Sequence, residues 1–350
     1  MENRIRERNP VIDVLKGIGI LSMVMGHCNM GSLFETYIAG FHMQLFFILS
    51  GFLYDPQRYP GFKKYVKRKL TTIIVPYFFF AAVTIAVCEI VNLVQQEAVY
   101  TWGQYLTGML WSNRSIFPIT GAIWFLQCTF WIEIGYYWIA KIRSVWKSSL
   151  LVGALLCISA LLSVLGIRLP LAIDSAISGV VFYHIGFLIS THKDKLTAPC
   201  FLRPGVIVWL VVFIGNAGLI LLNGGVNPRT CEFSILPLYY INALLGTWVW
   251  YIFSQFLAER GNRVLAACRK LMQSVGRNSI VYLGFNQLII LGLYTGLSLV
   301  LPVEIGAVRA GRNILTCMIT LAACGILSKG MSASRLCFLI GKRYSRKDKK

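Results

Sequence analysis

Apolar residues in this chain come in long runs broken by short polar segments, not in the two-residue alternation that marks a half-buried strand. A run of about 20 apolar residues, wound as a helix, spans the hydrocarbon core of a bilayer. Windows of that length predict ten helices, over about 11–29, 37–54, 71–93, 119–140, 149–166, 174–191, 205–223, 234–257, 278–299 and 310–330. The stretch 98–112, with its Trp, Tyr and Gly, is too short and too polar for a span and reads as interfacial or re-entrant. The pattern therefore predicts an all-α polytopic membrane protein of about ten transmembrane helices.

The polar segments orient these helices. With the N-terminus in the cytoplasm, 28 of the 34 Lys and Arg residues fall in cytoplasmic segments, five fall outside, and Lys16 lies within the first span. Basic residues favour the cytoplasmic side of a membrane, so both termini are expected there. Arg4, Arg6 and Arg8 ahead of an apolar run resemble a signal peptide. However, Asp13 and Lys16 interrupt that run and no small-residue cleavage pattern follows His27, so an uncleaved first helix is expected. The organisation read from the sequence is one transmembrane domain, 1–335, and a basic cytoplasmic tail, 336–350, in the inner (cytoplasmic) membrane of the cell.

Composition agrees with this class. The 350 residues are 56% hydrophobic and only 14% charged, with a mean hydropathy of +0.64. A soluble domain needs more charge to cover its surface. The net charge of +20 invites a nucleic-acid partner, but the basic residues sit on alternate loops as topology demands, which argues for no nucleic acid. Ten cysteines contain no Cys-x-x-Cys pair, and Cys88, Cys128, Cys157, Cys317 and Cys324 lie inside apolar runs. They read as small packing residues, with no metal site required.

Charge inside a span is costly and marks function by default. The first span, VIDVLKGIGILSMVMGHC, holds Asp13, Lys16 and His27. Asp13 and Lys16 are three residues apart and can pair on one helix face. Lys16 and His27 are eleven apart, close to three turns, so they share a face about 16 Å apart along the axis. Lys16 then lies near the cytoplasmic surface and His27 in the outer half of the membrane. This spacing suits a long, thin substrate with phosphate at one end and reactive chemistry at the other, the shape of a coenzyme A thioester. His27 would act as general base on an acceptor hydroxyl. The bland alternative is an interfacial Asp13–Lys16 ion pair, with Lys16 snorkelling and His27 bonded to a neighbouring helix.

The flanking sequence resembles the acyltransferase-3 membrane family, acyl-CoA-dependent O-acyltransferases that decorate extracytoplasmic glycans. IDVLKGIGILSMVMGH is similar to its first-helix signature, an Arg or Lys eleven residues before a catalytic His, here Lys16 and His27. FHMQLFFILSGFL (41–53) resembles its second-helix pattern, ending on Ser50, Gly51 and Phe52. KKYVKRKLTTIIVPYFF (63–79) resembles the basic lead into its third helix, closing on Pro76 and Tyr77. IWFL (123–126) and GRNSIVYL (276–283) match further landmarks, and PLYYINALLGT (237–247) is similar to a sugar O-acetylase branch resembling fucose O-acetylases. The resemblance runs from about residue 9 to 330. Two departures stand out: many members carry a second basic residue where this chain has Thr72, and a His where it has Asn286.

The resemblance implies a catalytic set of His27, Lys16 and Asp13 and a donor grip from Lys16, Arg68 and Lys69. Trp124 is a candidate wall for the pantetheine arm or the sugar. His42, Ser50 and Asn286 are candidate acceptor-binding residues. Glu89 and Glu133 are intramembrane carboxylates without an assigned role. The expected activity transfers an acyl group, acetyl by expectation, from cytoplasmic acyl-CoA to a hydroxyl of an extracytoplasmic glycan. It uses acetyl-CoA as donor substrate and no tightly bound cofactor. Expected partners are the lipid bilayer, glycan-assembly proteins and a second copy of the chain. A transporter or flippase is the main competing function, although the two halves show no clear repeat. A membrane sensor or scaffold would leave Lys16 and His27 unexplained.

Overall fold

The computed structural model describes residues 9–59, 61–112, 117–192, 203–259, 261–300 and 306–342. Among them the chain is almost wholly helical. In order the helices are α1 (Pro10–Gly26), α2 (Ser32–Ala39), α3 (His42–Phe52), α4 (Phe62–Lys69), α5 (Val75–Gln95), α6 (Trp102–Leu110), α7 (Trp124–Ile139), α8 (Val145–Val164), α9 (Ile173–Thr191), α10 (Val206–Asn223), α11 (Leu236–Glu259), α12 (Arg263–Arg277), α13 (Ser279–Val300) and α14 (Gly306–Ala333). The only strands among the described residues are β1 (Val226–Asn227) and β2 (Glu232–Phe233), an antiparallel pair in the α10–α11 connection.

Among the described residues, eight helical segments are long and apolar enough to cross a membrane, which makes this an all-α multi-pass membrane protein. The other two expected spans, 11–29 and 119–140, form α1 and α7, helices of 17 and 16 residues. Both are shorter than expected because one end of each leaves the α-helix: α1 stops at Gly26, and Gly121–Ile123 forms a 3-10 turn ahead of α7. Residues 98–112 form the short α6, capped by Thr101 and Gln104, with Trp102 and Leu106 exposed. As the composition predicts, this segment is not a span.

The two largest of four apolar clusters among the described residues organise the molecule. One joins α1, α5, α13 and α14, with Ile20, Met23, Phe80, Leu283 and Cys324 in it. The other joins α3, α7, α8, α9 and α11 around Phe47, Tyr136, Phe182 and Tyr239. Lipid offers no hydrophobic drive for helices to associate, so small residues that let backbones touch carry the packing. A Cβ on Gly51 would overlap the Tyr183 carbonyl, and one on Gly186 would stand 2.9 Å from Phe52 N, so α3 and α9 meet backbone to backbone. A second such crossing joins α1 to α12, where Cβ atoms on Gly17 and Gly276 would strike Met272 and Asp13 main chain.

That second crossing was not foreseen. The segment 258–277 reads as a cytoplasmic loop, yet 263–277 is an amphipathic helix capped by Asn262, with Val264 and Leu271 exposed on one side. Residues 335–340, spanning the boundary expected between the transmembrane domain and the tail at 336, form a 3-10 turn that packs on the bundle, with Cys337 and Ile340 buried. The remainder of the expected tail, residues 343–350, lies outside the described residues, as do Arg4, Arg6, Arg8, Arg114, Lys193 and Lys195.

Candidate functional site

Helix α1 is the spine of the site. Pro10 at its first turn and the Asn9 cap start it. At the other end, His27 is its C-cap and Asn29 takes a left-handed conformation (φ 48°). A helix end leaves carbonyls without helical partners. Here Tyr294 Oη donates to the Cys28 carbonyl (2.8 Å) and Asn313 Nδ2 to the Asn29 carbonyl (2.7 Å). Tyr294 also donates to Asn313 Oδ1 (3.1 Å) and carries Arg312 over its ring. Helices α13 and α14 thus fix the turn that holds His27. Neither Tyr294 nor Asn313 was singled out from sequence, although a polar residue inside an apolar run was the available signal.

Two further groups converge on His27. His42, at the start of α3, lies within electrostatic reach of it, with Nδ1 bonded to the Ile38 carbonyl (2.8 Å). Arg229 does so as well. It stands on the turn Asn227-Pro228-Arg229-Thr230, in which the Asn227 side chain accepts from Arg229 N (3.1 Å) and proline precedes the arginine. Its Nε donates to the Ser112 carbonyl (3.1 Å), and its guanidinium lies against Gly121, where a Cβ would come within 3.1 Å of Cζ. Burial pushes the Arg229 guanidinium down to about 10, so it stays charged at neutral pH. From sequence this arginine was one of five outer charges and nothing more. Trp124, buried at the first residue of α7, belongs to this same end through neighbouring Gly121. Beside it, Ala122 N donates to Gln287 (2.9 Å).

The other end of α1 is basic. Asp13 pairs with Arg277 (2.9 Å) across the glycine crossing, which joins the first-helix signature to the GRNS landmark. Asn278, next in chain, accepts from Lys342 Nζ. Lys342 lines a cavity of about 1020 Å³ together with Arg58, Lys64, Lys67, Arg68 and Arg335. The cavity therefore lies at the N-terminal end of α1, the end that carries Lys16. Lys16 is half-buried and is not among the residues lining it.

Helix α4 runs into a π-helical turn, Leu70–Ile74, before α5. Pro76 explains it, because its ring has no N–H for the Thr72 carbonyl and would crowd it in a regular helix. Thr71 and Thr72 hydroxyls donate instead to the Arg68 carbonyl (2.8 and 2.9 Å), so Arg68 sits at a fixed bend on the cavity wall. Thr72, one of the two departures from the resemblance noted in the sequence, serves this bend.

The structure does not bring every candidate together. Lys69 faces inward and pairs with Glu133 (2.7 Å), whose carboxylate also accepts from Tyr65 and Tyr183 (3.1 Å). This gives Glu133 a structural role and commits Lys69 to it. Ser50 lies eight residues along α3 from His42, about 12 Å by helix rise, so it does not join the histidines. Asn286 is fully buried and donates to the Tyr282 and Leu283 carbonyls of its own helix (2.7 and 2.8 Å). Its Oδ1 has no partner among the described residues.

A family model described as an acyltransferase domain matches residues 9–329. No curated protein and no solved structure matches the chain.

Proposed function

The chain belongs to the acyltransferase-3 family, and from that premise we propose that it moves an acyl group, acetyl by preference, from cytoplasmic acyl-CoA to a hydroxyl of an extracytoplasmic glycan. The observation that carries the reading is polarity along α1: a basic cavity at one end, and His27 among His42 and Arg229 at the other. A donor that is polyphosphate at one end and thioester at the other fits those two ends. Helix rise gives about 16 Å between Lys16 and His27. The basic end is the cytoplasmic one by the bias of Lys and Arg, in the inner membrane. The acceptor class follows from the resemblance of 237–247 to sugar O-acetylases.

In this mechanism Arg68 and its basic neighbours hold the donor phosphates by charge-assisted hydrogen bonds. Lys16 guides the arm along α1. His27, held in place by its anchored turn, accepts the proton of the acceptor hydroxyl as that oxygen attacks the thioester carbonyl. Arg229 stands where developing negative charge on the carbonyl oxygen needs a cation. Collapse of the tetrahedral species breaks the carbon–sulfur bond, and the proton held on His27 returns to the departing thiolate. The products are the O-acyl ester and free CoA thiol.

The test is His27→Ala in purified protein. General-base loss costs about 10²- to 10⁴-fold in rate, while acetyl-CoA binding, made at the far end, persists. A folded His27→Ala protein that acylates its acceptor at the wild-type rate sinks the mechanism. Unaltered substrate movement with no acyl transfer in the wild type would favour a transporter instead.

A further inference from the structure

The basic cavity has two walls of different origin. One is α4 and the bend after it, with Lys64, Lys67 and Arg68. The other is residues 335–342, which lie beyond the family match at 329 and bring Arg335 and Lys342. This second wall is a built element. Ser334 Oγ caps it by accepting from Leu336 N (3.2 Å), and Cys337 and Ile340 are buried. Gly341 closes it at φ +70°, close enough to α5's lead-in that a Cβ would stand 2.7 Å from the Thr72 carbonyl oxygen. Lys342 Nζ donates to Ser332 Oγ (2.9 Å) and to Asn278, so the segment is strapped to α12 and α14 together.

Among the described residues, six cations line the cavity and no carboxylate does. Like charges so gathered repel, and an anion among them relieves that repulsion. A volume of about 1020 Å³ is far more than a single phosphate fills and is at the upper end for a small-molecule site. The charges come from two separate segments of the chain, so the matching ligand offers more than one phosphate.

We propose that residues 335–342 are the second jaw of a polyphosphate clamp, in which Arg335 and Lys342 grip phosphates opposite Lys64, Lys67 and Arg68. The ligand is the phosphorylated nucleotide end of the donor. This inference rests on the acyl-CoA reading above. The same phosphate chemistry is offered by an anionic lipid headgroup, and the experiment separates the two.

Full-length protein in detergent is titrated with adenosine 3′,5′-bisphosphate as wild type, Arg335→Gln, Lys342→Gln and Gly341→Ala. Lys342→Gln keeps an amide donor for Asn278 and Ser332 while removing the charge, and Gly341→Ala shifts the strap while removing none. Each variant is expected to weaken binding about 5- to 30-fold, because a charge-assisted bond is lost or displaced. The two charge variants also flatten its salt dependence, and all three raise the acetyl-CoA KM at unchanged kcat. Wild-type binding matched by all three variants overturns the clamp and leaves the donor reading standing. Displacement of the bisphosphate by a short-chain anionic phospholipid at equal phosphate concentration overturns the nucleotide assignment. A wild type that binds neither the bisphosphate nor acetyl-CoA removes the donor reading and the clamp together.

Discussion

Gly276→Ala puts two effects in competition. Alanine is a better helix former than glycine by about 1 kcal/mol, which by itself would stabilise α12. Against this, the new Cβ would overlap the Asp13 carbonyl and stand 2.8 Å from Gly17 N. Both neighbours are main chain of α1 and cannot rotate away as a side chain would, so the helices must separate. Overpacking of this kind costs about 1–3 kcal/mol or more, and at a backbone-to-backbone crossing the upper figure applies. The expected net loss is about 2 kcal/mol, a fall of several degrees in melting temperature. Function should suffer more than stability. A shift of about 1 Å in α1 moves Lys16 and His27 together, and misplacement of that size can cost about 10²-fold in rate. Thermal unfolding in detergent and acyl transfer to a hydroxyl acceptor measure the two effects. Gly135→Ala on α7, where a Cβ meets nothing within 4 Å, is the control expected to melt at or above wild type. A Gly276→Ala protein as stable and active as wild type would refute the role of the α1–α12 crossing.

Four further expectations are open to direct measurement. Lys16→Ala should weaken acetyl-CoA binding more than Lys16→Arg, and equal wild-type affinity in both would exclude Lys16 from the donor path. Arg229→Gln should lower kcat by about 10- to 100-fold with little change in donor KM, while Arg229→Lys retains part of the rate; a kcat unaffected by Arg229→Gln removes it from the chemistry. Lys69→Ala leaves a buried carboxylate without its cation, and a loss of about 3 kcal/mol in stability is expected; wild-type melting would show that Glu133 does not depend on Lys69. Reporter fusions should place 55–70, 141–148, 192–204 and 258–277 inside and 94–118 and 224–233 outside. A cytoplasmic 94–118 would reverse the assignment of the two ends of α1.

Class and helix order were legible in the sequence because both depend on local properties. An apolar run of about 20 residues has no other stable place than a bilayer or a large core. The Lys16-x10-His27 spacing was legible for the same reason, since an α-helix fixes which residues share a face. What joins distant segments was not. The Asp13–Arg277 pair, the turn of His27 held by Tyr294 and Asn313, and Arg229 within electrostatic reach of the imidazole each link residues far apart in sequence. Nothing local in a lone outer arginine or a Gly-Arg-Asn sequence states its partner.

Glu133 shows the division in one residue. From sequence it was a carboxylate in an apolar run, costly there and therefore meaningful. Only the packing of α4, α7 and α9 reveals that Lys69, Tyr65 and Tyr183 meet it, and so withdraws Lys69 from the basic cavity. The C-terminal segment is the converse. Nothing in its sequence states that Cys337, Ile340 and the left-handed Gly341 set residues 335–342 against the bend at Thr72. The chain's own chemistry determines which segments enter the membrane and which helix carries Lys16 and His27. Tertiary structure alone decides which charges face one another, because charge pairing in a low-dielectric interior depends on distances that only packing sets.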